Sequence, residues 1–121
     1  MWLVVAALNL MVAVMLGAFG AHGLKARLSP EGLSWWHTAT DYLFWHALGL
    51  LLIGALLRAL PELRLGGAAI ALQLGILIFC GSLYAMALGA PRWFGAITPI
   101  GGTAMIIGWG MLAWAAYKTL P

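Results

Sequence analysis

Four long apolar stretches decide what this chain can fold into. They cover residues 2–24, 41–60, 67–88 and 96–117, and short segments with charged residues, proline or glycine separate them. A helix needs about 20 predominantly apolar residues to cross a bilayer. Backbone groups find no water there, so only helices and closed barrels cross it, and barrel strands are alternating segments of about 10 residues. The sequence therefore predicts an all-α polytopic membrane protein.

The composition excludes a soluble protein. Of the 121 residues, 64% are hydrophobic and 7% are charged, whereas soluble domains are about 45–50% apolar and about 25% charged. The four spans use most of the chain, so residues 1–121 are expected to form a single transmembrane domain without a separate catalytic unit. The short connections predict that neighbouring helices are antiparallel.

The six basic residues are scattered along the chain. Nucleic-acid-binding surfaces are clustered basic faces, so no nucleic-acid partner is expected, and the lipid bilayer is the partner that these side chains predict. The basic residues divide equally between the two ends of the bundle, and the N-terminal amine tips the positive-inside rule towards cytoplasmic termini. They are Arg58, Arg64 and Lys118 at the end with the termini, and Lys25, Arg27 and Arg92 at the other end.

The most polar segment lies between the first and second spans. Within it, Ser29-Pro30-Glu31 is typical of a helix start, with proline at the first helical position. We therefore expect a short interfacial helix from Pro30 to Thr40, leading into the second span. The first span lacks the preceding basic residues of a signal peptide, so we interpret it as a retained helix.

Polar side chains gather at the end away from the termini once the spans are folded up and down. Ionisable groups within a membrane are costly and usually face the bundle interior. His46 lies deepest, roughly 7 Å below Asp41 at about 1.5 Å per residue. His37 and Asp41 are expected to share a helix face, either as an ion pair or with Asp41 as the N-cap of the second span. The candidate ligand-binding residues are His22, His46, Asp41, Tyr42, Ser82, Tyr84, Arg92 and Thr98.

His22 and His46 are expected to approach each other across the first two spans. Two histidines on facing helices suit haem iron or, with Asp41, a metal ion, but no metal-binding motif is present, so any metal ligands stay unassigned. The interpretation that the sequence favours is that these histidines form hydrogen bonds with backbone carbonyls and lock two helices together, which requires no cofactor. Proton relay or contact with a quinone headgroup is a further alternative. Cys80, among apolar neighbours, is expected to be a buried inert thiol.

The chain contains 16 glycines, many of them spaced four residues from another small residue. Helices in lipid associate through close packing of small residues, so these positions predict tight contacts within the bundle. The alternative is that one such face forms a homo-oligomer or binds a partner membrane protein.

Four segments resemble a known family. They are residues 17–23 (GAFGAHG), 42–46 (YLFWH), 79–88 (FCGSLYAMAL) and 98–102 (TPIGG). In this order they are similar to the family catalogued as domain of unknown function 423, the YgdD-like small bacterial inner-membrane proteins, with a eukaryotic relative called transmembrane protein 256. The resemblance implies four spans and a multi-pass location in the bacterial inner membrane, but no activity. It carries over to His22, His46, Ser82, Tyr84, Thr98, Pro99, Gly101 and Gly102.

Two functions follow as hypotheses. The first is a non-enzymatic binding or interaction module, whose polar cluster binds a lipid headgroup, a small apolar ligand or a partner membrane protein. The alternative is a redox or proton-handling component that holds haem, quinone or a metal through His22 and His46. No nucleophile arrangement supports a hydrolytic enzyme, because Ser82 has no His–Asp pair nearby in the sequence.

Overall fold

The computed structural model describes all 121 residues, which form helices joined by short turns, with no strand. A π turn at Ile76–Cys80 joins the third and fourth helices into one rod, Gly66–Ala87. Four rods are long and apolar enough to cross a membrane, which confirms the predicted fold class. The helices are α1 (Trp2–His22), α2 (Pro30–Ala59), α3 (Gly66–Gly75), α4 (Gly81–Ala87) and α5 (Thr98–Thr119).

Helix α2 begins well before the second apolar stretch. Ser29 caps it, because its Oγ accepts a hydrogen bond of 3.0 Å from the N–H of Gly32. Pro30 occupies the first helical position, where its missing N–H has no intrahelical partner to lose. The helix continues without a break to Ala59, so the expected interfacial helix is the first part of α2. The interpretation of Asp41 as an N-cap is wrong, because Asp41 lies in the helix interior.

Helix α1 packs antiparallel on α2 through small residues. A Cβ on Gly20 would lie 2.3 Å from Nε1 of Trp36, and a Cβ on Gly54 would lie 3.1 Å from Leu3. The missing side chains allow the two helices to approach closely, as small residues do in membranes. Only three residues of α1 are buried, Ala6, Ala13 and Gly20. Most of α1 therefore faces away from the bundle.

The third rod packs against α5 at the π turn. A Cβ on Gly101 would lie 2.3 Å from the backbone N of Phe79, and a Cβ on Gly75 would lie 2.9 Å from the carbonyl oxygen of Gly101. Backbone therefore meets backbone where α5 passes the π turn. The largest fully buried side chains are those of Leu50, Ile53, Leu65 and Leu72.

Apolar side chains cover the outside of the bundle as well as its interior. Met15, Leu77 and Ile106 are each at least 60% exposed. Soluble monomers rarely expose large contiguous apolar patches, whereas lipid chains accommodate such a surface. The bundle therefore has the surface of a membrane protein.

Candidate functional site

Ser82 and Thr98 hold α4 and α5 together. Ser82 is buried, and its Oγ donates a 2.9 Å hydrogen bond to the carbonyl oxygen of Phe79 in the π turn. Its Oγ also lies 2.5 Å from Oγ1 of Thr98. Because a carbonyl oxygen only accepts, the Ser82 proton goes to Phe79. The single Thr98 proton has two acceptors within reach, the Ser82 oxygen at 2.5 Å and the carbonyl oxygen of Phe94 at 3.4 Å, and the shorter distance makes Ser82 the main acceptor. Both predicted ligand-binding hydroxyls thus fix the fold at this point.

Tyr84 belongs to a second chain of hydrogen bonds. Its hydroxyl lies 2.7 Å from Oγ1 of Thr40, and Thr40 donates a 2.9 Å bond to the carbonyl oxygen of Trp36. The Tyr84 hydroxyl is therefore the donor to Thr40, and its oxygen lone pairs stay free to accept. Trp36 donates its indole N–H to the carbonyl oxygen of Leu16, 2.9 Å away. These bonds connect α1, α2 and α4 near the end of the bundle that lies opposite the two termini.

His46 is buried between Tyr42 and Trp109. Its Nδ1 lies 2.8 Å from the carbonyl oxygen of Tyr42, so the neutral ring carries its proton on Nδ1. Nε2 has no hydrogen-bond partner among the protein atoms. The ring stacks on Tyr42 at 5.7 Å and lies 5.8 Å from the ring of Trp109. Tyr42, another predicted candidate, packs its ring on Phe79 at 4.5 Å.

The expected approach of His22 and His46 is not found. The contacts of Gly20 with Trp36 and of Leu3 with Gly54 place His46 level with about residue 11 of α1. At about 1.5 Å per residue, His22 lies roughly 16 Å further along the bundle. The physical reason is that His46 lies in the middle of α2, whereas His22 ends α1. In this arrangement the two imidazoles do not ligate one iron or metal ion.

The remaining predicted residues lie at the surface. Arg92 forms an ion pair with Glu31 at the start of α2, and its guanidinium lies 5.6 Å from the ring centroid of Trp35. This is the only ion pair of the chain, so the expected pair of His37 and Asp41 does not form. Both His37 and Asp41 are exposed. Nowhere in the chain do three His, Cys, Asp or Glu side chains meet in a way that could hold a metal ion.

A lateral groove runs between α1 and the third rod. Its volume is about 180 Å³, and its lining is mostly apolar. Val12, the middle residue of α1, lies on one side of it, so the groove is near mid-depth in the bundle. Helices α1 and α3 run in the same direction, so the groove follows the helix axes. Its lining residues are Asn9, Val12, Leu16, Leu43, Ile76, Leu77, Cys80, Gly81 and Tyr84.

Polar pairs mark the two ends of the lateral groove. At one end, Nδ2 of Asn9 donates a 2.6 Å hydrogen bond to Oε1 of Gln73. At the other end lies Tyr84 with its bond to Thr40. From Asn9 to Leu16 the groove is about 10 Å long, at about 1.5 Å per residue. The groove is therefore a narrow apolar channel along the bundle, open on one side.

The hydrogen bond between Asn9 and Gln73 was not predicted from the sequence. Each is an isolated amide in an otherwise apolar span. Polar side chains in lipid hydrogen-bond across helices, so this isolation was the signal that could have predicted their bond. Thr40 was also missed as a partner of Tyr84, and a single sequence contains no signal for that contact.

Comparison with known proteins gives consistent matches. A family described as "Protein of unknown function (DUF423)" matches residues 16–102. A UPF0382 membrane protein of Staphylococcus epidermidis is 48% identical over 97% of this chain and 95% of its own length. The corresponding protein of Staphylococcus saprophyticus is 46% identical over 97% of each chain. The UPF0382 membrane protein YwdK of Bacillus subtilis is 41% identical over 98% of each chain. No solved structure matches.

Proposed function

Because the chain belongs to the DUF423 (UPF0382) family of membrane proteins, we propose a function that is carried out inside the bilayer. The protein is a non-enzymatic binding protein that holds one hydrocarbon chain of a membrane lipid in the lateral groove. The observation that carries this proposal is the groove itself, an apolar space of about 180 Å³ beside α1. Its polar end residue, Tyr84, belongs to the predicted polar cluster.

The size and direction of the groove favour a single lipid chain. Sites for drug-sized molecules are roughly 300–1,000 Å³, so a space of about 180 Å³ is too small for haem or a multi-ring quinone. A helix is about 10 Å in diameter and does not fit either. A lipid chain is narrow, and it lies along the bilayer normal, which is also the direction of the groove.

The polar cluster by itself does not support a headgroup site. Ser82, Thr98 and Tyr84 donate their hydroxyl protons within the protein. His22 and His46 lie at different depths, so nothing in their placement favours the redox alternative. The apolar-ligand form of the binding hypothesis is therefore the one that the contacts support.

Gly81 provides a way to fill the groove without disturbing the fold. It lines the groove, and a Cβ at this position would meet no atom within 4 Å. Gly110 in α5 is equally open but does not line the groove. Gly81→Leu therefore reduces the space for a ligand, and Gly110→Leu is the matched control with the same change in side chain.

The experiment uses phosphatidylglycerol that carries a photoreactive diazirine in the middle of one acyl chain. The full protein is reconstituted into vesicles containing this lipid, irradiated, and mapped by peptide mass spectrometry. We expect adducts to concentrate at Val12 and Leu16, which line the groove, relative to the exposed residue Ile106 of α5. Gly81→Leu should remove this excess, and Gly110→Leu should retain it.

Two results would overturn the proposal. The first is equal labelling of the groove and of the α5 surface, unchanged by Gly81→Leu. The second, from a parallel sample treated with a bifunctional photocrosslinker, is a protein–protein crosslink through the groove, which would make a second copy of the chain its occupant. Circular dichroism and thermal unfolding of both variants show whether each is folded before the comparison is made.

We also propose that the protein resides in the bacterial inner membrane with both termini in the cytoplasm. The balance of basic residues supports this orientation only through the N-terminal amine. We test this with reporters fused to the C-terminus: green fluorescent protein fluoresces only in the cytoplasm, and alkaline phosphatase is active only outside it. We expect a fluorescent fusion and an inactive phosphatase. Active phosphatase and dark fluorescent protein would reverse the assignment.

A further inference from the structure

The largest cavity lies at the end of the bundle that carries both termini, away from the lateral groove. It has a volume of about 340 Å³. It lies between the turn at Pro61–Leu63, the start of α3 and the last turns of α5. Sites for drug-sized molecules are roughly 300–1,000 Å³, so this cavity is large enough for a small polar headgroup.

The floor of this cavity is apolar and its rim is charged. Leu65, Ala68 and Ala115 are buried and line the floor. Arg64 and Lys118 lie at the rim, both exposed. Neither forms an ion pair, since the only ion pair of the chain is at the other end. Two cations without ion-pair partners thus lie above an apolar floor. This arrangement matches a ligand in which an anionic group is joined to an apolar part.

Glu62 is the third charged residue at the rim and also forms no ion pair. Its carboxylate reduces the attraction for a bare anion and leaves the rim with a net positive charge. It is also a hydrogen-bond acceptor for hydroxyl groups. This combination suits a headgroup that carries one phosphate and free hydroxyls.

The position of the cavity along α5 matches the membrane surface. Trp114 lines it and is 60% exposed, and tryptophan is enriched at membrane–water interfaces. Lys118 lies in the last turn of α5. Basic residues near this surface attract anionic lipids. The cavity therefore lies where headgroups are present.

We propose that this cavity binds the headgroup of an anionic glycerophospholipid, with phosphatidylglycerol as the best match. Arg64 and Lys118 bind the phosphodiester, since guanidinium fits phosphate with two parallel hydrogen bonds and ammonium acts as a point charge. Glu62 accepts hydrogen bonds from the glycerol hydroxyls, and the first methylene groups lie on the floor. This site is independent of the lateral groove.

The test compares lipid binding by native mass spectrometry of the full protein in neutral detergent. We expect one phosphatidylglycerol to bind more tightly than one phosphatidylcholine. The double variant Arg64→Asn/Lys118→Gln should weaken phosphatidylglycerol binding about thirtyfold, because each basic residue near the surface contributes about fivefold to anionic lipid binding. Asparagine is chosen at position 64 because it tolerates the left-handed backbone of Arg64, φ 52°.

Two further variants make the result specific. Lys25→Gln/Arg27→Gln removes the same charge at the opposite end and should leave binding within about twofold. Glu62→Gln keeps an oxygen acceptor for the glycerol hydroxyls and removes the repulsion of the phosphodiester, so it should strengthen binding by up to about fivefold, an increase that misfolding would not produce. Gly81→Leu should not change it.

Three outcomes would overturn the proposal. The first is equal binding of phosphatidylglycerol and phosphatidylcholine. The second is an equal loss in the two double variants. The third is full competition by inorganic phosphate at the same concentration as the lipid, which would show that a free anion, and not a lipid, is the ligand.

Discussion

Replacing Gly101 with alanine should force α5 away from the π turn. The new Cβ would lie 2.3 Å from the backbone N and 2.8 Å from the Cα of Phe79. Non-bonded heavy atoms prefer about 3.5 Å or more, so the helices must separate by roughly 1 Å. Both close atoms belong to the backbone, so no side-chain rotation relieves the contact.

This separation also breaks the bond between Ser82 and Thr98, whose oxygens are 2.5 Å apart. Overpacking costs about 1–3 kcal/mol, and an interhelical hydrogen bond in a membrane contributes about 0.6 kcal/mol. Alanine gains about 1 kcal/mol over glycine in a helix. The expected net loss in free energy of unfolding is therefore about 0.5–2.5 kcal/mol.

Gly110→Ala is the matched control, because it makes the same change in the same helix and meets no atom within 4 Å. Its helix propensity gain is the same, so the two variants should differ by about 1.5–3.5 kcal/mol through packing and hydrogen bonding. The assay is reversible unfolding in mixed micelles by increasing sodium dodecyl sulfate, followed by tryptophan fluorescence.

A double-mutant cycle of Gly101→Ala with Thr98→Val tests whether the broken hydrogen bond accounts for part of the lost stability. Thr98→Val should cost about 0.6 kcal/mol in the native sequence and almost nothing in the Gly101→Ala background, where the bond is already broken. Equal stability of Gly101→Ala and Gly110→Ala would refute the close approach of α5 to the π turn. If the losses in free energy of unfolding of Gly101→Ala and Thr98→Val add fully, Gly101→Ala does not act through the hydrogen bond between Ser82 and Thr98.

Four other substitutions test three separate features of the structure in the same unfolding assay. Gly20→Ala should be about 1–2 kcal/mol less stable than the Gly110→Ala control, because its Cβ displaces Trp36 from Leu16; equal stability would contradict this. Asn9→Leu and Gln73→Leu should each destabilise, and their cycle should show a coupling of about 0.6 kcal/mol, whereas zero coupling would mean that the amide bond contributes nothing. Arg64→Gly should raise stability by roughly 0–1 kcal/mol, because glycine adopts the left-handed backbone without strain, and a clear loss would contradict that reasoning.

The sequence was sufficient for the fold because its strongest signal is local. A run of apolar residues long enough to cross a bilayer does not depend on distant contacts, and Pro61 and Pro91 mark the breaks between rods. Asp41 shows the limit of local reasoning, since its segment has the pattern of a helix start, yet Ser29 begins that helix earlier.

The site was harder to predict because it depends on register. Which residue of α1 faces which residue of α2 is set by contacts such as Gly20 with Trp36, and no periodicity in the sequence gives this. The shared end of two spans therefore suggested that His22 and His46 approach each other, although the register separates them by roughly 16 Å along the bundle. The sequence places Ser82 and Thr98 at the same end of the bundle, but it contains no signal for the hydrogen bond between them.

The π turn at Ile76–Cys80 makes the third rod tolerant of a shorter chain in a way that the other rods are not. A π turn contains one residue more than a regular helix requires for the same rise. Deleting a single residue there would restore regular winding and leave the residues after it at nearly the same height and angle. The same deletion within α2 would rotate everything beyond it by about 100°, whereas a lost codon in the π turn would keep Ser82 beside Thr98 and Tyr84 beside Thr40.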